Sequence, residues 1–277
     1  MSSRDEEGDL GRAAELTARA RMGVAFTGAG VSAESGISTF RGRDGLWHRY
    51  DPYQVSSIEA FLRDPGRYWS LAAERWRSYA AARPNPGHLA LAALEAAGHL
   101  RGVVTQNTDG LHRDAGTRCL VELHGNGRRV RCLDCGAIED RAEVQARLER
   151  ELPPRCGTCG GRHLKPEVVL FGEPLPARAL MEAFELARGC DLMLVVGSSL
   201  QVYPAADVPS TAVERGVPLI VVNDEPTPVD VAATVVLRGR SGELLPRLEA
   251  EVRRRREAGD TAAPSRSPSS DGRGTSS

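Results

Sequence analysis

The sequence predicts an α/β fold, in which a mostly parallel, Rossmann-like sheet carries helices on both faces and a smaller, discontinuous zinc-binding and helical domain is attached. Short apolar strands alternate with helical patterns along most of the chain, which is typical of a parallel sheet buried on both faces. An early strand runs into a glycine-rich turn at Gly28–Gly30. Two segments, 41–83 and 128–163, break the alternation, and the second contains two cysteine pairs.

The predicted strands are short and largely apolar, and in chain order they are Met22–Thr27, Val103–Thr105, Cys119–Leu123, Leu164–Phe171, Asp191–Val196, Val217–Val222 and Val235–Leu237. The predicted helices cover residues 85–97, 176–188 and 242–256. The first of these helices begins with Asn85 and Pro86, a capping residue followed by a proline that suits the first turn, and it ends before Gly98.

The predicted sheet domain is discontinuous, and we expect it to combine residues 11–40, 84–127 and 164–256. The segment 41–83 is rich in aromatic residues and has helical patterns without strong strand patterns. We expect it to form the small helical and zinc-binding domain together with residues 128–163. Residues 1–10 and 257–277 have the polar composition of disordered tails.

Length and charge exclude several classes of protein. The chain has 277 residues and a formal net charge of -1, from 36 Lys and Arg against 37 Asp and Glu. This balance argues against a nucleic-acid-binding protein, which would carry a basic surface. The sequence has no apolar run of about 18 residues that could span a membrane. Its first residues, MSSRDEEGDL, lack the apolar segment of a signal peptide, so we expect a cytoplasmic protein.

Four of the six cysteines form two pairs with the spacing of a zinc site. Cys132 and Cys135 are followed 20 residues later by Cys156 and Cys159. Two such pairs can direct four thiolates to one tetrahedral ion, and a site with four thiolates has no open position, so we expect structural zinc. The alternative is a pair of disulfides, which requires an oxidising compartment. Cys119, Cys190 and His163 are not expected to bind the metal.

The glycine turn after the first strand predicts a nucleotide site. Gly28, Gly30 and Ala33 match the pattern G-x-G-x-x-A, in which glycines let a pyrophosphate approach the backbone. A dehydrogenase would also place an acidic residue at the end of the next strand, about 20 residues further on. Asp51 has that spacing, but the residues before it do not form a strand pattern. The turn therefore favours nucleotide binding over hydride transfer.

Residues 28–42, GAGVSAESGISTFRG, resemble the signature of the sirtuins, the NAD-dependent protein deacylases. Later stretches resemble further sirtuin motifs in the order that the family has them, and the cysteine pairs match its zinc site. These stretches are TQNTDGLH at 105–112, LHGN at 123–126, VVLFGE at 168–173, GSSLQVYP at 197–204 and VN at 222–223. The matches extend from about residue 22 to residue 248.

The resemblance implies that NAD binds across the glycine turn. Gly28, Ala29 and Gly30 would hold the diphosphate through backbone N–H groups. Gln106, Asn107 and Asp109 would surround the nicotinamide ribose and carboxamide, since amide and carboxylate groups can satisfy both. The other implied cofactor residues are Ala33 and Gly197, Phe40, Arg41 and Trp47 around the closing loop, Ser198, Ser199 and Asn223 at the adenosine ribose, and Ser241 at the adenine.

The resemblance also implies that His124 is the general base, with Asn107 and Asp109 as further catalytic residues. An imidazole with a pKa of about 6.5 suits proton removal at neutral pH. The acyl-lysine carbonyl oxygen would attack C1′ of the nicotinamide ribose and release nicotinamide. His124 would then activate a ribose hydroxyl that attacks the resulting imidate, and water would complete the acyl transfer to ADP-ribose. The other histidines, at 48, 88, 99, 112 and 163, are interpreted as structural.

The implied substrate is an acyl-lysine protein segment that binds as an extended strand. The residues expected to contact it are Val169, Phe171, Gly172, Glu173, Val202 and Tyr203. The Val169 carbonyl would accept from the acyl-lysine N–H, and Phe40 and Phe171 would line an apolar tunnel for the lysine.

This sequence departs from the family pattern in ways that bear on the acyl group. Thr108 stands where an aliphatic residue is common, and Ser198 stands where Thr is common. Relatives that remove acidic acyl groups carry Tyr and Arg three residues apart, and an ungapped alignment places Ala72 and Arg75 there. Because that Tyr is missing, we expect neutral acyl groups, acetyl first, rather than succinyl or malonyl.

Other functions remain open from the sequence. The chain could be a deacylase for longer or acidic acyl groups, or an ADP-ribosyltransferase that uses the same NAD site. It could also be a non-catalytic sensor of NAD or ADP-ribose with a zinc interaction module, although the presence of His124, Asn107 and Asp109 argues against that function. The sequence does not predict an oligomeric state.

Overall fold

The computed structural model describes residues 3–41 and 45–261. Nine strands lie within these residues: β1 (Gly23–Thr27), β2 (Leu100–Thr105), β3 (Leu120–Glu122), β4 (Gly125–Cys132), β5 (Ile138–Asp140), β6 (Leu164–Val168), β7 (Met193–Val196), β8 (Leu219–Asn223) and β9 (Val235–Arg238). The helices in the same residues are α1 (Ser3–Arg19), α2 (Pro52–Val55), α3 (Ile58–Arg63), α4 (Pro65–Ala81), α5 (Pro86–Ala96), α6 (Leu111–Asp114), α7 (Arg141–Arg147), α8 (Ala177–Gly189), α9 (Asp207–Glu214) and α10 (Ser241–Thr261).

The main sheet has six parallel strands in the order β3-β2-β1-β7-β8-β9, which confirms the predicted architecture. Its central strands are buried along their whole length, because successive side chains enter two different cores. In β1, Ala25 packs under α1, α5 and α10 on one face. Val24 and Phe26 pack under α8 and α9 on the other.

A second, antiparallel sheet of order β5-β4-β6 belongs to the smaller part of the fold. The segment Leu164–Phe171, predicted as a strand of the parallel sheet domain, instead supplies β6 of this sheet. The reason is its apolar partner: Leu164 is fully buried beside Trp69 and Val130, and its carbonyl accepts from the Trp69 indole N–H at 2.9 Å. A short apolar run indicates a buried strand but does not specify its sheet.

The predicted disorder of residues 1–10 is wrong for residues 3–10, which form the first half of α1. Ala13 and Ala14 are fully buried against α10, and Glu6 forms an ion pair with Arg247 at 2.6 Å. Helix α10 likewise continues through Thr261, five residues into the tail predicted from 257. Residues 1–2, 42–44 and 262–277 lie outside the described residues.

The segment 41–83 forms α2, α3 and α4 where it is described, as its helical patterns predicted. Asp51 lies in no strand and caps α2 by accepting from the Tyr53 N–H. None of the helices in residues 3–41 and 45–261 is long and apolar enough to cross a membrane.

Candidate active site

A large cleft lies where the strand order of the main sheet reverses, at the carboxyl ends of β1 and β7. In open α/β sheets this switch point is the usual place for a ligand. The cleft has a volume of about 830 Å³. It brings together most residues predicted to bind the nucleotide: Gly28, Ala29, Gly30, Ala33, Phe40, Arg41, Gln106, Asn107, Gly197, Ser198, Ser199, Asn223 and Ser241, with His124 and Val202 beside them.

Glycines form the floor of the cleft because the ends of β1 and β7 touch there. The Gly30 N–H donates to the Gly197 carbonyl at 2.8 Å. A Cβ on Gly28 would lie 2.8 Å from the Gly197 carbonyl oxygen, and one on Gly30 would lie 2.7 Å from the Gly197 Cα. Gly197 itself has φ +58°, the left-handed region that favours glycine. A side chain at position 28 or 30 would therefore clash with the backbone at the end of β7.

Ser241 marks the far end of the cleft, at the start of α10. Its side chain is buried, and its Oγ has no hydrogen-bond partner within the described residues. Buried hydroxyls normally have a hydrogen-bond partner. An unpartnered hydroxyl in a cleft therefore indicates that a ligand supplies the partner. The adjacent Gly242 N–H donates to Glu34 at 2.6 Å, which ties α10 to the wall of the cleft.

The loop Gln106–Asp109, which follows β2, is held by many hydrogen bonds. Gln106 Nε2 donates to Ser198 Oγ at 2.8 Å. Asn107 Nδ2 donates to the Gly28 carbonyl and to Ser32 Oγ, both at 3.0 Å. Asp109 does not line the cleft, but it accepts from Ser32 Oγ at 2.7 Å and so lies directly behind Asn107. These contacts fix the side chains before a ligand binds.

His124 faces the cleft with one ring nitrogen already committed. Its Nδ1 lies 2.9 Å from the Gln106 carbonyl oxygen, and since a carbonyl only accepts, Nδ1 carries the proton. Burial lowers the His124 pKa below its usual value of 6.5, although the hydrogen bond to Gln106 opposes that shift. The neutral ring therefore leaves the lone pair on Nε2 available as a base at neutral pH.

The residues predicted to bind the peptide lie in two places. Those after β6 are next to His124 but do not share a cavity with Val202. The Val169 N–H donates to the His124 carbonyl at 2.9 Å. Val169 and Glu173 line a second cavity of about 360 Å³, whereas Val202 lines the large cleft. The Glu173 carboxylate is occupied within the chain, because it accepts from Lys165 Nζ at 2.9 Å and from the Leu170 N–H at 2.8 Å. Tyr203 is 70% exposed.

An aromatic row extends from Phe40, at the large cleft, through Trp47 to Phe171. Phe40 stacks on Trp47 with ring centroids 5.2 Å apart, and Phe171 contacts Trp47 at 6.1 Å and Tyr53 at 5.1 Å. Trp47 does not line the cleft itself but supports Phe40, which does. The Arg75 guanidinium lies 5.7 Å from the centroid of the Phe40 ring. Gly172 has φ +86° and turns the chain after Phe171.

The four predicted metal ligands form one cluster. The Sγ atoms of Cys132, Cys135, Cys156 and Cys159 all lie within 4.8 Å of one another, with Cys132–Cys159 and Cys135–Cys156 each at 3.7 Å. Bonded sulfurs would be about 2.05 Å apart, whereas thiolates about 2.3 Å from a tetrahedral zinc are separated by nearly the observed distance. The residues fit zinc, and His163 stays outside the cluster, paired with Asp134 at 2.9 Å.

A protein-family model described as "Sir2 family" matches residues 28–204, well over half of the chain. The chain belongs to the Sir2 family. It is 48% identical over 250 residues to "NAD-dependent protein deacylase 2" of Archaeoglobus fulgidus, covering 90% of this chain and 98% of that one. It is 52% identical over 248 residues to "NAD-dependent protein deacylase" of Thermococcus kodakarensis, covering 88% and 96%. The predicted resemblance to sirtuins is thereby confirmed.

Solved Sir2 structures share the fold. One, described as "The structure of Sir2Af2 bound to a myristoylated histone peptide", is 42% identical, with a TM-score of 0.78 over 91% of this chain and 99% of that one. The six-stranded parallel sheet and the small sheet with the four cysteines are therefore the Sir2 fold as this protein has it.

Several residues at the site of this Sir2 protein were not identified by the sequence motifs. Asp224, Glu225 and Arg240 also line the cleft. His88, interpreted as structural, is buried but contacts Ser32 Oγ at 3.3 Å, so it supports the group that holds Asn107 and Asp109. Tyr79 donates from α4 to the Thr108 carbonyl at 2.5 Å. The contacts of His88 and Tyr79 join residues distant in sequence, which a single sequence does not reveal.

Proposed function

We propose that the protein is an NAD-dependent protein-lysine deacylase that transfers an acyl group to ADP-ribose and releases nicotinamide. The observation that carries the proposal is the position of His124, whose imidazole lines the glycine-floored cleft beside the Gln106–Asp109 loop. The Archaeoglobus fulgidus and Thermococcus kodakarensis relatives are described as NAD-dependent protein deacylases, which supports the same activity here.

The cleft suits NAD in size and in chemistry. Its volume of about 830 Å³ is within the range of small-molecule sites. The diphosphate would lie over Gly28–Gly30, where the backbone approaches most closely. The adenosine would extend toward Asn223 and Ser241, and the Ser241 hydroxyl would gain the partner that it lacks inside the chain. The nicotinamide end would then reach the Gln106–Asp109 loop.

Asn107 and Asp109 would orient the nicotinamide and its ribose. The Asn107 amide is fixed by its bonds to Gly28 and Ser32, and Asp109 is fixed through the same Ser32. Because these groups need no rearrangement when the cofactor binds, the site is preorganised for the charge that develops as nicotinamide leaves.

His124 would act as the general base of the acyl transfer. Its unprotonated Nε2 would take a proton from a ribose hydroxyl, which then attacks the imidate carbon formed from the acyl-lysine. The bond from Nδ1–H to the Gln106 carbonyl would orient the ring and stabilise the imidazolium that results. Water then releases the free lysine and leaves the acyl group on ADP-ribose.

The acyl-lysine peptide would bind along Val169–Glu173. The N–H groups of Val169, Leu170, Phe171 and Glu173 already donate within the chain. An incoming strand would therefore be held on this segment mainly through carbonyl oxygens, that of Val169 among them, and from the other side by Val202 and Tyr203. The lysine stem would pass between Phe40 and Phe171 toward His124. Because backbone groups bind the peptide, little sequence preference is expected.

Acetyl-lysine is the first substrate that we propose, because Ala72 stands where a tyrosine would help to bind an acidic acyl group. A second candidate is a longer acyl chain. The aromatic row is open to solvent, with Phe40 38% and Tyr53 66% exposed, and such a surface can cover methylene groups. The relative that holds a myristoylated histone peptide supports this candidate.

The zinc ion that the four cysteines would hold is proposed to be structural. All four available ligand positions are thiols, and the cluster lies in the small sheet, away from the residues that line the cleft. The four clustered cysteines would then be zinc-bound thiolates and not disulfides, which fits the cytoplasmic location that we propose.

The test is to incubate the purified protein with an acetylated peptide, with and without NAD, and to identify products by mass spectrometry. We expect three products in equal amounts, and only when NAD is present: acetyl-ADP-ribose, nicotinamide and the peptide with a free lysine. Protein that becomes ADP-ribosylated without any deacylation of the peptide would instead indicate an ADP-ribosyltransferase. Binding of NAD or ADP-ribose without any product would indicate a sensor. Parallel peptides with succinyl and myristoyl groups establish the acyl preference.

A further inference from the structure

We propose that Tyr79, on helix α4 of the smaller part of the fold, positions the nicotinamide loop of the reaction. The inference rests on the proposed function, in which Asn107 and Asp109 hold the nicotinamide ribose and carboxamide. Tyr79 touches neither of these side chains. It acts through the backbone of Thr108, the residue between them.

The first step of the argument is the contact itself. The Tyr79 hydroxyl donates to the Thr108 carbonyl oxygen at 2.5 Å, and the Gly127 N–H donates to the same oxygen at 2.8 Å. Burial raises the pKa of Tyr79 above its ordinary value, so the phenol stays protonated and remains a donor at neutral pH. The peptide between Asn107 and Asp109 is thus held from two sides.

The other anchors of this loop come from the parallel sheet and from β4 of the small sheet. The Gln106 N–H donates to the Thr27 carbonyl at 3.0 Å, and Arg128 Nε donates to the Asp109 carbonyl at 3.1 Å. Tyr79 adds a side-chain hydroxyl from α4, so this helix and β4 of the small sheet both hold the loop. Through these contacts the orientation of the loop depends on where the smaller part of the fold sits.

The ring of Tyr79 is itself held in place by stacking. Trp76 lies against it with centroids 6.1 Å apart and planes 24° apart. The Arg141 guanidinium lies 4.7 Å from the Trp76 ring centroid and 4.5 Å from that of Trp69. Arg141 begins α7, which follows directly after β5 of the small sheet. The stacked side chains thus connect the small sheet, which carries the cysteines, to the Tyr79 hydroxyl that binds the Thr108 carbonyl.

Space around the hydroxyl is tightly limited. A Cβ on Gly127 would lie 2.6 Å from the Tyr79 hydroxyl oxygen and 3.3 Å from the Thr108 carbonyl oxygen. Glycine at 127 is therefore required for this hydrogen bond in its present geometry. This gives a second, independent way to disturb the contact, from the opposite side and without changing Tyr79.

The decisive test uses the full chain with the substitution Tyr79→Phe, which removes the hydroxyl and keeps the stacked ring. Two ligands are compared by titration calorimetry: NAD, which has a nicotinamide, and ADP-ribose, which does not. We expect the variant to weaken NAD binding and nicotinamide inhibition about three- to tenfold, the size of one lost hydrogen bond. Affinity for ADP-ribose and the KM for the acyl-peptide should stay at the wild-type level.

Gly127→Ala should show the same split between NAD and ADP-ribose, and it replaces Tyr79→Phe if that variant does not fold. Ser78→Ala is the control, because the Ser78 hydroxyl on the same helix bonds only the Arg75 carbonyl. Equal weakening of NAD and ADP-ribose, or unchanged NAD affinity in both variants, would overturn the inference. If the wild-type protein binds NAD but deacylates no peptide, the proposed function fails while the binding comparison still tests Tyr79.

Discussion

His124 Nδ1 lies 2.9 Å from the carbonyl oxygen of Gln106, a residue of the loop expected to hold the nicotinamide ribose. One backbone group therefore sets the tautomer of the imidazole and also belongs to the loop on the other side of the reacting centre. This hydrogen bond fixes the position of His124 relative to the Gln106–Asp109 loop. Because the acceptor is a backbone carbonyl, any residue at position 106 could supply it.

His124→Ala should abolish acyl transfer and leave the cofactor site intact. We expect kcat to fall by about 10²- to 10⁴-fold, the contribution of a general base, with NAD affinity close to that of wild type. Because burial lowers the His124 pKa, the wild-type rate should decline only as the pH falls below the ordinary value of 6.5. Steady-state rates from pH 5 to pH 8 measure this. Unchanged turnover in the variant would remove His124 from the mechanism.

Removal of zinc should unfold the small sheet before the large one. Cys132 and Cys156 are buried in the same core as Trp69, Phe61 and Leu164. Cys132→Ser should therefore lower the melting temperature and expose Trp69, seen as a red shift in tryptophan fluorescence, because structural zinc contributes to folding. Metal analysis of the wild type should give one zinc per chain.

The control for that experiment is Cys119→Ser. Cys119 is half-buried at the edge of the main sheet and lies outside the four-cysteine cluster. Its substitution should leave the zinc content unchanged. A protein that keeps its fluorescence and stability after Cys132→Ser would show that the cluster does not support the fold.

Ala72→Tyr should increase activity on succinyl-lysine relative to acetyl-lysine. Ala72 and Arg75 are three residues apart on α4 and so share a face of that helix. A phenol there could donate to a distal carboxylate together with the Arg75 guanidinium. Ala72→Phe is the matched control, because it adds the ring without the hydroxyl. The measurement is the ratio of kcat/KM for the two peptides; an equal ratio in both variants would contradict this role.

The motifs predicted the cleft well because each one sits at the end of a strand. Gly28 follows β1, Gln106 follows β2, and Gly197 follows β7, so parallel strands carry all three to one edge of the sheet. The cysteine spacing likewise predicted a cluster, since a knuckle turn directs both thiols to one side.

The sequence was less informative where long-range packing decides. The strand that begins at Leu164 was predicted for the sheet domain, but its pairing with β4 and its contact with Trp69 assign it to the small sheet. Glu173, which is expected to contact the peptide, is also paired with Lys165, and the motif does not reveal that ion pair. Residues 3–10 are polar enough for a tail, yet they continue a helix whose alanines, at 13 and 14, are buried. The outcomes for Leu164 and for residues 3–10 each depend on a partner distant in sequence.

Acid should destabilise the protein through His88 and His112. Burial lowers the pKa of His88 to about 4, despite the nearby Asp109 charge, and that of His112 to about 3. In the unfolded chain both have a pKa of about 6.5. Below that pH the unfolded state binds protons that the folded state does not, so the free energy of unfolding should fall from pH 6.5 toward pH 4, with up to about 1.4 kcal/mol per pH unit for each histidine. From about pH 7.5 upward both are almost fully neutral in either state and contribute almost no slope.

His112→Gln should flatten this dependence. The amide can keep a hydrogen bond to Thr27 Oγ1, which the His112 Nε2 now contacts at 2.9 Å, but it cannot take up a proton in the unfolded chain. Denaturant unfolding at a series of pH values from 7.5 to 4.5 measures the slope for wild type and variant. Because the other titrating groups are common to both proteins, the difference between the two slopes reports on His112 and its contact with His88. Equal slopes would mean that this histidine is not held neutral by burial.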